Sequence, residues 1–269
     1  MDIVIVGFVA IALLGIFVGL FSGMLGIGGN IIAIPALLYI FKTLLHFPVA
    51  IAMHMVLATC LVIMVFTALS STTAHYKNSN VDWSIYKRLA PFMILGTIAG
   101  AFCASLVHGI ILEKIFGGFL FLIALQMFFY PENEKHIGQI RNVPHIIYVL
   151  VGILIGFKSG LLGIGGGAIL IPFLLYLNYP ARTVIGTTAL CSFTVAVIGA
   201  ITFFITGSQY HLQIPYTLGF IYVPALLIMA PLTFICAKIG AHLSSKIPHI
   251  YLKRALNLLV AILSIAMLV

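Results

Sequence analysis

A stretch of 23 residues occurs twice in this 269-residue chain, as VGLFSGMLGIGGNIIAIPALLYI from Val18 to Ile40 and as IGFKSGLLGIGGGAILIPFLLYL from Ile155 to Leu177. The copies lie 137 residues apart and share 14 identities without a gap, among them Ser22 with Ser159, Gly26 with Gly163, Pro35 with Pro172 and Tyr39 with Tyr176. The chain therefore reads as two versions of one half, 1–130 and 146–269, joined by a polar linker at 131–145. Each copy puts glycines and a proline inside apolar sequence, where lipid offers the backbone no hydrogen-bond partner. Interruptions at matching places in two halves point to a substrate site between them.

Composition sets the class. Hydrophobic residues make up 63% of the chain and charged residues 7%, against about 25% charged in soluble proteins, so the expected fold is an all-α polytopic membrane protein. The N-terminus has no basic region and no small-residue cleavage site, and reads as a retained first span rather than a signal peptide. Full spans are expected near 3–21, 50–74, 90–107, 115–130, 146–157, 184–207, 214–237 and 250–269. Shorter apolar segments, Ile31 to Leu45 and Ala168 to Leu177, follow the glycine clusters. At about 1.5 Å per residue they reach roughly 22 and 15 Å, short of the ~30 Å hydrocarbon core, as half-helices would be. Gly15, Gly19 and Gly23, and again Gly152, Gly156 and Gly160, have the four-residue spacing that lets helix backbones approach closely in lipid.

The basic residues test whether the short segments change sides, because Lys and Arg collect in cytoplasmic loops. Counting them as crossings puts ten of the thirteen basic residues on one side and three (Lys42, Lys114 and Lys158) on the other. Eight crossings leave almost no bias. Ten crossings, five per half, would orient the halves oppositely and put both termini outside. The net charge of +8 then belongs to cytoplasmic loops and requires no nucleic acid.

All five acids, Asp2, Asp82, Glu113, Glu132 and Glu134, fall in termini or loops. A carrier of cations usually keeps a carboxylate within the membrane, so an anionic or neutral substrate is favoured. The runs Gly26, Gly28, Gly29, Asn30 and Gly163, Gly165, Gly166, Gly167 present backbone N–H groups at the start of a short helix, where anions are stabilised. The alternative is that they are only tight turns.

The two glycine motifs, the segment FTALSSTTAHYKNSNVDW from Phe66 to Trp83, and the triplets at Ala58 to Cys60 and Gly186 to Thr188 resemble the sulfite exporter TauE/SafE family, also called TSUP. The resemblance covers nearly the whole chain. It implies a multi-pass permease of the cytoplasmic (inner) membrane for small anions such as sulfite, sulfoacetate or thiosulfate, with no cofactor. Two positions depart between the copies: Asn30 stands opposite Gly167, and Phe21 opposite Lys158.

Other polar residues carry paired readings. Ser22 and Ser159 either donate to the anion or bond a carbonyl one turn earlier. Asn30 either reaches the ligand or caps the following helix. Thr59, Thr187 and Thr188 face the site or pack between helices. Lys158 either snorkels to the interface or faces the pathway as an attractor of anions. His54 lies well within a span and is the candidate titrating group if transport is coupled to protons rather than sodium; the alternative is a hydrogen-bonded structural histidine. The four cysteines have no C-x-x-C pairing and read as buried packing residues, with a thiosulfate relay through Cys60 and Cys191 the less favoured reading. Without a buried acid, a metal cluster or a nucleotide motif, an enzyme is disfavoured. The expectation is a gradient-driven carrier working by alternating access, with an anion channel or another organic-acid permease as alternatives. Oligomeric state is left open.

Overall fold

The computed structural model describes residues 2–25, 29–129, 141, 143–210, 214–244 and 249–268. Ten helices account for almost all of it: α1 (Asp2–Leu25), α2 (Asn30–Thr43), α3 (Val49–Lys77), α4 (Trp83–Leu106), α5 (Gly109–Phe129), α6 (His145–Leu162), α7 (Gly167–Tyr176), α8 (Ala181–Ser208), α9 (Val223–Ser244) and α10 (His249–Leu268). A two-residue-per-strand hairpin, β1 (Thr217–Leu218) and β2 (Ile221–Tyr222), precedes α9. Among the described residues seven helices are long and apolar enough to cross a membrane, while α2, α7 and the apolar part of α10 (Asn257–Leu268) are shorter. The protein is an all-α polytopic membrane protein.

Two boundaries differ from the hydropathy reading for identifiable reasons. α4 starts at Trp83 rather than near 90, because the Asp82 carboxylate accepts from the backbone N–H groups of Ser84 (2.8 Å) and Ile85 (3.1 Å) and caps the helix. α9 starts at Val223 rather than 214. Residues Tyr216 and Gly219 have positive φ and turn the apolar stretch into the hairpin before the helix begins.

The packing crosses between the repeats. α1 lies along α9, α6 along α4, α3 along α8 and α5 along α10. If α1–α5 are matched in order with α6–α10, this set of pairs is unchanged when the halves are exchanged. The helix directions follow from close contacts. Gly15 lies against Met229 and Leu232, and Gly19 against Thr233 and Cys236, so α1 and α9 run the same way. Gly152 meets Leu89 and Phe92, Gly156 meets Met93 and Thr97, and Gly160 meets Thr97 and Ala101, so α4 and α6 also run together. By contrast α3 and α8 are antiparallel: Leu61 packs on Gly199, and Asn80, just past the end of α3, packs on Gly186 near the start of α8. α5 packs on α10 with Gly117 against Met267 and Leu268.

At Gly156 and Gly160 a Cβ would collide with the backbone of α4, so these positions let backbones touch, and dispersion between them holds the pair in lipid. α4 answers with Gly96 and Gly100, whose missing side chains admit the α6 backbone at Ile153 and Phe157. The centre is α3, where Met53, Met55, Leu57 and Leu61 are all fully buried.

Candidate functional site

The site is built where α6 stops and α7 starts. α6 ends on Gly163, which takes φ +65° while its N–H donates to the Ser159 carbonyl (2.9 Å); a side chain at that φ would be strained. α7 begins at Gly167, and the first N–H groups of a helix have no partner within it. Lys158 does not snorkel. It is only 7% exposed, its ammonium donates to the Gly165 carbonyl (2.8 Å) and lies 5.5 Å from the centre of the Phe119 ring. Neither partner carries a negative charge. The one salt bridge among the described residues, Lys42 with Glu113, is elsewhere, and it corrects the reading of every acid as terminal or in a loop, since Glu113 lies within α5.

Three hydroxyls surround this turn. Ser159 is wholly buried and Thr188 is 5% exposed, and neither side-chain oxygen has a hydrogen-bond partner. Thr188 places its methyl 3.6 Å from the point a Cβ on Gly167 would occupy, and the Ser192 hydroxyl lies 3.0 Å from the same point on Gly165. A buried polar atom without a partner is costly, so these atoms have the character of ligands in waiting.

The first cluster is arranged differently. Gly26 and Gly28 lie outside the described residues. Gly29 precedes α2, and Ser22 and Val18 pack over it. Asn30 does not cap α2, whose N-terminus has no side-chain cap. Its amide nitrogen turns inward instead, donating to the Gly163 carbonyl (2.7 Å) and the Cys60 carbonyl (3.2 Å), with Met64 Sδ at 3.5 Å. Asn30 thus ties the start of one short helix to the turn before the other.

Thr59 and Thr187 do similar work at the two ends of the α3–α8 pair. The Thr187 hydroxyl accepts from the Asp82 backbone N–H (2.9 Å), immediately before α4. The Thr59 hydroxyl accepts from the Tyr222 backbone N–H (3.0 Å), immediately before α9. Each threonine on a central helix clasps the chain entering a helix of the other half.

His54 stands apart from the glycine clusters. Its Nε2 donates to the carbonyls of Ala104 and Val107 (both 3.0 Å) at the end of α4, where backbone acceptors lack helical partners. The ring stacks on Phe220 at 5.3 Å and lines a cavity of about 280 Å³ with His108 and Tyr210. Cys60 and Cys191 are fully buried free thiols.

Sequence reasoning passed over Ser192, Met64 and Phe119. Ser192 and Met64 were within reach, because the triplets at 58–60 and 186–188 set a register of 128 residues between α3 and α8, and that register pairs 64 with 192. Phe119 was not, since it comes from a helix outside both copies.

Short interrupted helices, a buried cation and crossed pairing of two halves describe a membrane protein of the transporter class. The chain belongs to the Sulfite exporter TauE/SafE family, whose model matches residues 11–267. It is 30% identical over 256 residues to a probable membrane transporter protein of Haemophilus influenzae, covering 95% of this chain and 96% of that protein. Similar likenesses hold to the probable membrane transporter protein MJ0441 of Methanocaldococcus jannaschii (26% over 259 residues; 95% and 93% covered) and to YdhB of Bacillus subtilis (29% over 263 residues; 96% and 99% covered). No solved structure matches the chain. The protein is a membrane transporter and not an enzyme.

Proposed function

We propose that this protein carries a small anion, a sulfur oxyanion or sulfonate such as sulfite, sulfoacetate or thiosulfate, across the cytoplasmic membrane by alternating access. The observation that carries the reading is Lys158, a buried ammonium held by a carbonyl and an aromatic ring with no carboxylate beside it. An isolated charge in the membrane interior is expensive, and a bound anion supplies the missing counter-charge. Unpartnered Ser159 and Thr188, and the amides that open α7, are donors for its oxygens.

The two halves, 1–130 and 146–269, are read as inverted repeats crossing five times each. Helix directions support this. Were α2 and α7 re-entrant, α3 and α8 would run the same way, whereas their contacts run antiparallel. Contacts between loops agree with it, since Arg141 N–H bonds the Leu177 carbonyl at one end and Tyr210 bonds the Ser105 carbonyl at the other. On this topology the Thr187 clasp closes the cytoplasmic end and the Thr59 clasp the outer end, and alternating access releases one at a time. The driving force is a proton or sodium gradient.

Uptake of radiolabelled sulfite, sulfoacetate, thiosulfate, sulfate and acetate into proteoliposomes, with and without a pH gradient, tests the reading. Saturable uptake of at least one anion is expected, with Lys158→Met reducing it by about tenfold or more. Failure to transport any of them would overturn the substrate class; rates that do not saturate would favour a channel.

A further inference from the structure

Resting on that reading, we propose that the two glycine clusters are unequal partners: the second half alone holds the charged head of the anion, with Ser192 among its ligands. Of the positions that border the two clusters, matched by the two registers of the repeat, Ser22 with Ser159 is shared, while Phe21 with Lys158, Cys60 with Thr188, and Met64 with Ser192 differ. Each of those three is apolar or sulfur-bearing in the first half and a hydrogen-bond donor in the second.

Asn30 is the exception that completes the pattern. A carboxamide has two N–H protons, and those of Asn30 face the Gly163 and Cys60 carbonyls. That leaves none for a ligand. The first cluster therefore braces the second, and Met64 Sδ, 3.4 Å from the point a Cβ on Gly165 would occupy, forms an apolar wall beside the donors. Such a wall suits the carbon or sulfur body of a sulfonate, while Lys158, Ser159, Thr188 and Ser192 take its oxygens.

Lys158 is one unit of positive charge, and the start of α7 adds about half a unit of dipole charge. A bound anion of one or two charges therefore leaves the buried site within about half a unit of neutrality, whereas Phe21 gives the first cluster no such cation. An oxyanion also outcompetes the Gly165 carbonyl for the ammonium, because a charge-assisted hydrogen bond is the stronger one.

The test measures thermal stabilisation of the detergent-purified full-length protein by methanesulfonate, acetate and sulfate at matched ionic strength. At least one of the three should stabilise the wild type. Ser192→Ala should weaken the effective anion by about tenfold, as loss of one hydrogen bond to a charged group does, and Ser192→Thr should restore it. The mirror change Met64→Leu should leave affinity within about twofold, since it conserves volume and removes no donor. An unaltered Ser192→Ala, or equal losses at 64 and 192, would each overturn the inference while leaving an anion carrier standing. Absence of any anion effect, together with absent uptake in proteoliposomes, would remove the carrier reading and this inference with it.

Discussion

Thr59 and Thr187 exchange places when the halves are exchanged, whereas Lys158 and Phe21 do not. Both threonines accept a backbone N–H from the residue just before a helix of the opposite half, at 3.0 and 2.9 Å, so the frame is the same at either end. The glycine clusters differ in every neighbouring position that bears on charge. The contrast has a physical reason. Clasps at the two ends never meet and can be duplicated freely, but a second lysine at position 21 would add another uncompensated cation to the membrane interior. Duplication supplies the machinery twice, and the charge is placed once.

The largest expected effect breaks the shared frame. Gly19→Leu and Gly156→Leu both drive a side chain into the backbone of the neighbouring helix, costing well over about 3 kcal/mol, and neither variant should give a monodisperse peak on size-exclusion chromatography. Gly118→Ala, where a Cβ meets nothing within 4 Å, should elute as the wild type does. Monodisperse Gly19→Leu beside collapsed Gly156→Leu would show that the two crossed pairs are not equivalent.

Next comes the brace that only the first half has. Asn30→Ala leaves the buried Gly163 carbonyl without its Asn30 donor and removes a second bond to the Cys60 carbonyl, and should cost about 2–3 kcal/mol, read as a lower melting temperature in detergent. An unchanged melting temperature would mean that the second cluster holds its shape unaided.

The smallest effect sharpens the symmetry of the ends. Thr59→Val and Thr187→Val should each cost about 1–2 kcal/mol, and they should act at opposite faces. Thiol labelling of Asn80→Cys should rise in Thr187→Val only, and labelling of Ser105→Cys, at a buried position, in Thr59→Val only. Both variants exposing the same reporter would sink the idea of paired gates.

Much of this frame was legible in the sequence. The duplicated segment located both short helices, since glycine and proline are visible interruptions in apolar text; Pro35 and Pro172 each fall at the sixth residue of their helix. Helix pairing was not legible, because nearly uniformly apolar helices carry little facial pattern to say which side meets which neighbour. Gly152, Gly156 and Gly160 gave half of one such interface away, but their partners on α4 sit in the other half of the chain. Hydropathy also absorbed residues 214–222 into a helix, and so hid the Tyr222 amide that Thr59 holds. The burial of Lys158 depended on helix rotation by one turn, which only the assembled bundle settles.

The crossed pairing has a consequence for how the chain is made. α1 leaves the ribosome first, and the helix it packs against along its glycines, α9, is among the last. During synthesis the first half must wait in the bilayer with its small-residue faces unmatched, so neither half is a unit that matures alone. Two fragments divided within 131–140 should be degraded when expressed singly and stable when expressed together, as strands of one weave are.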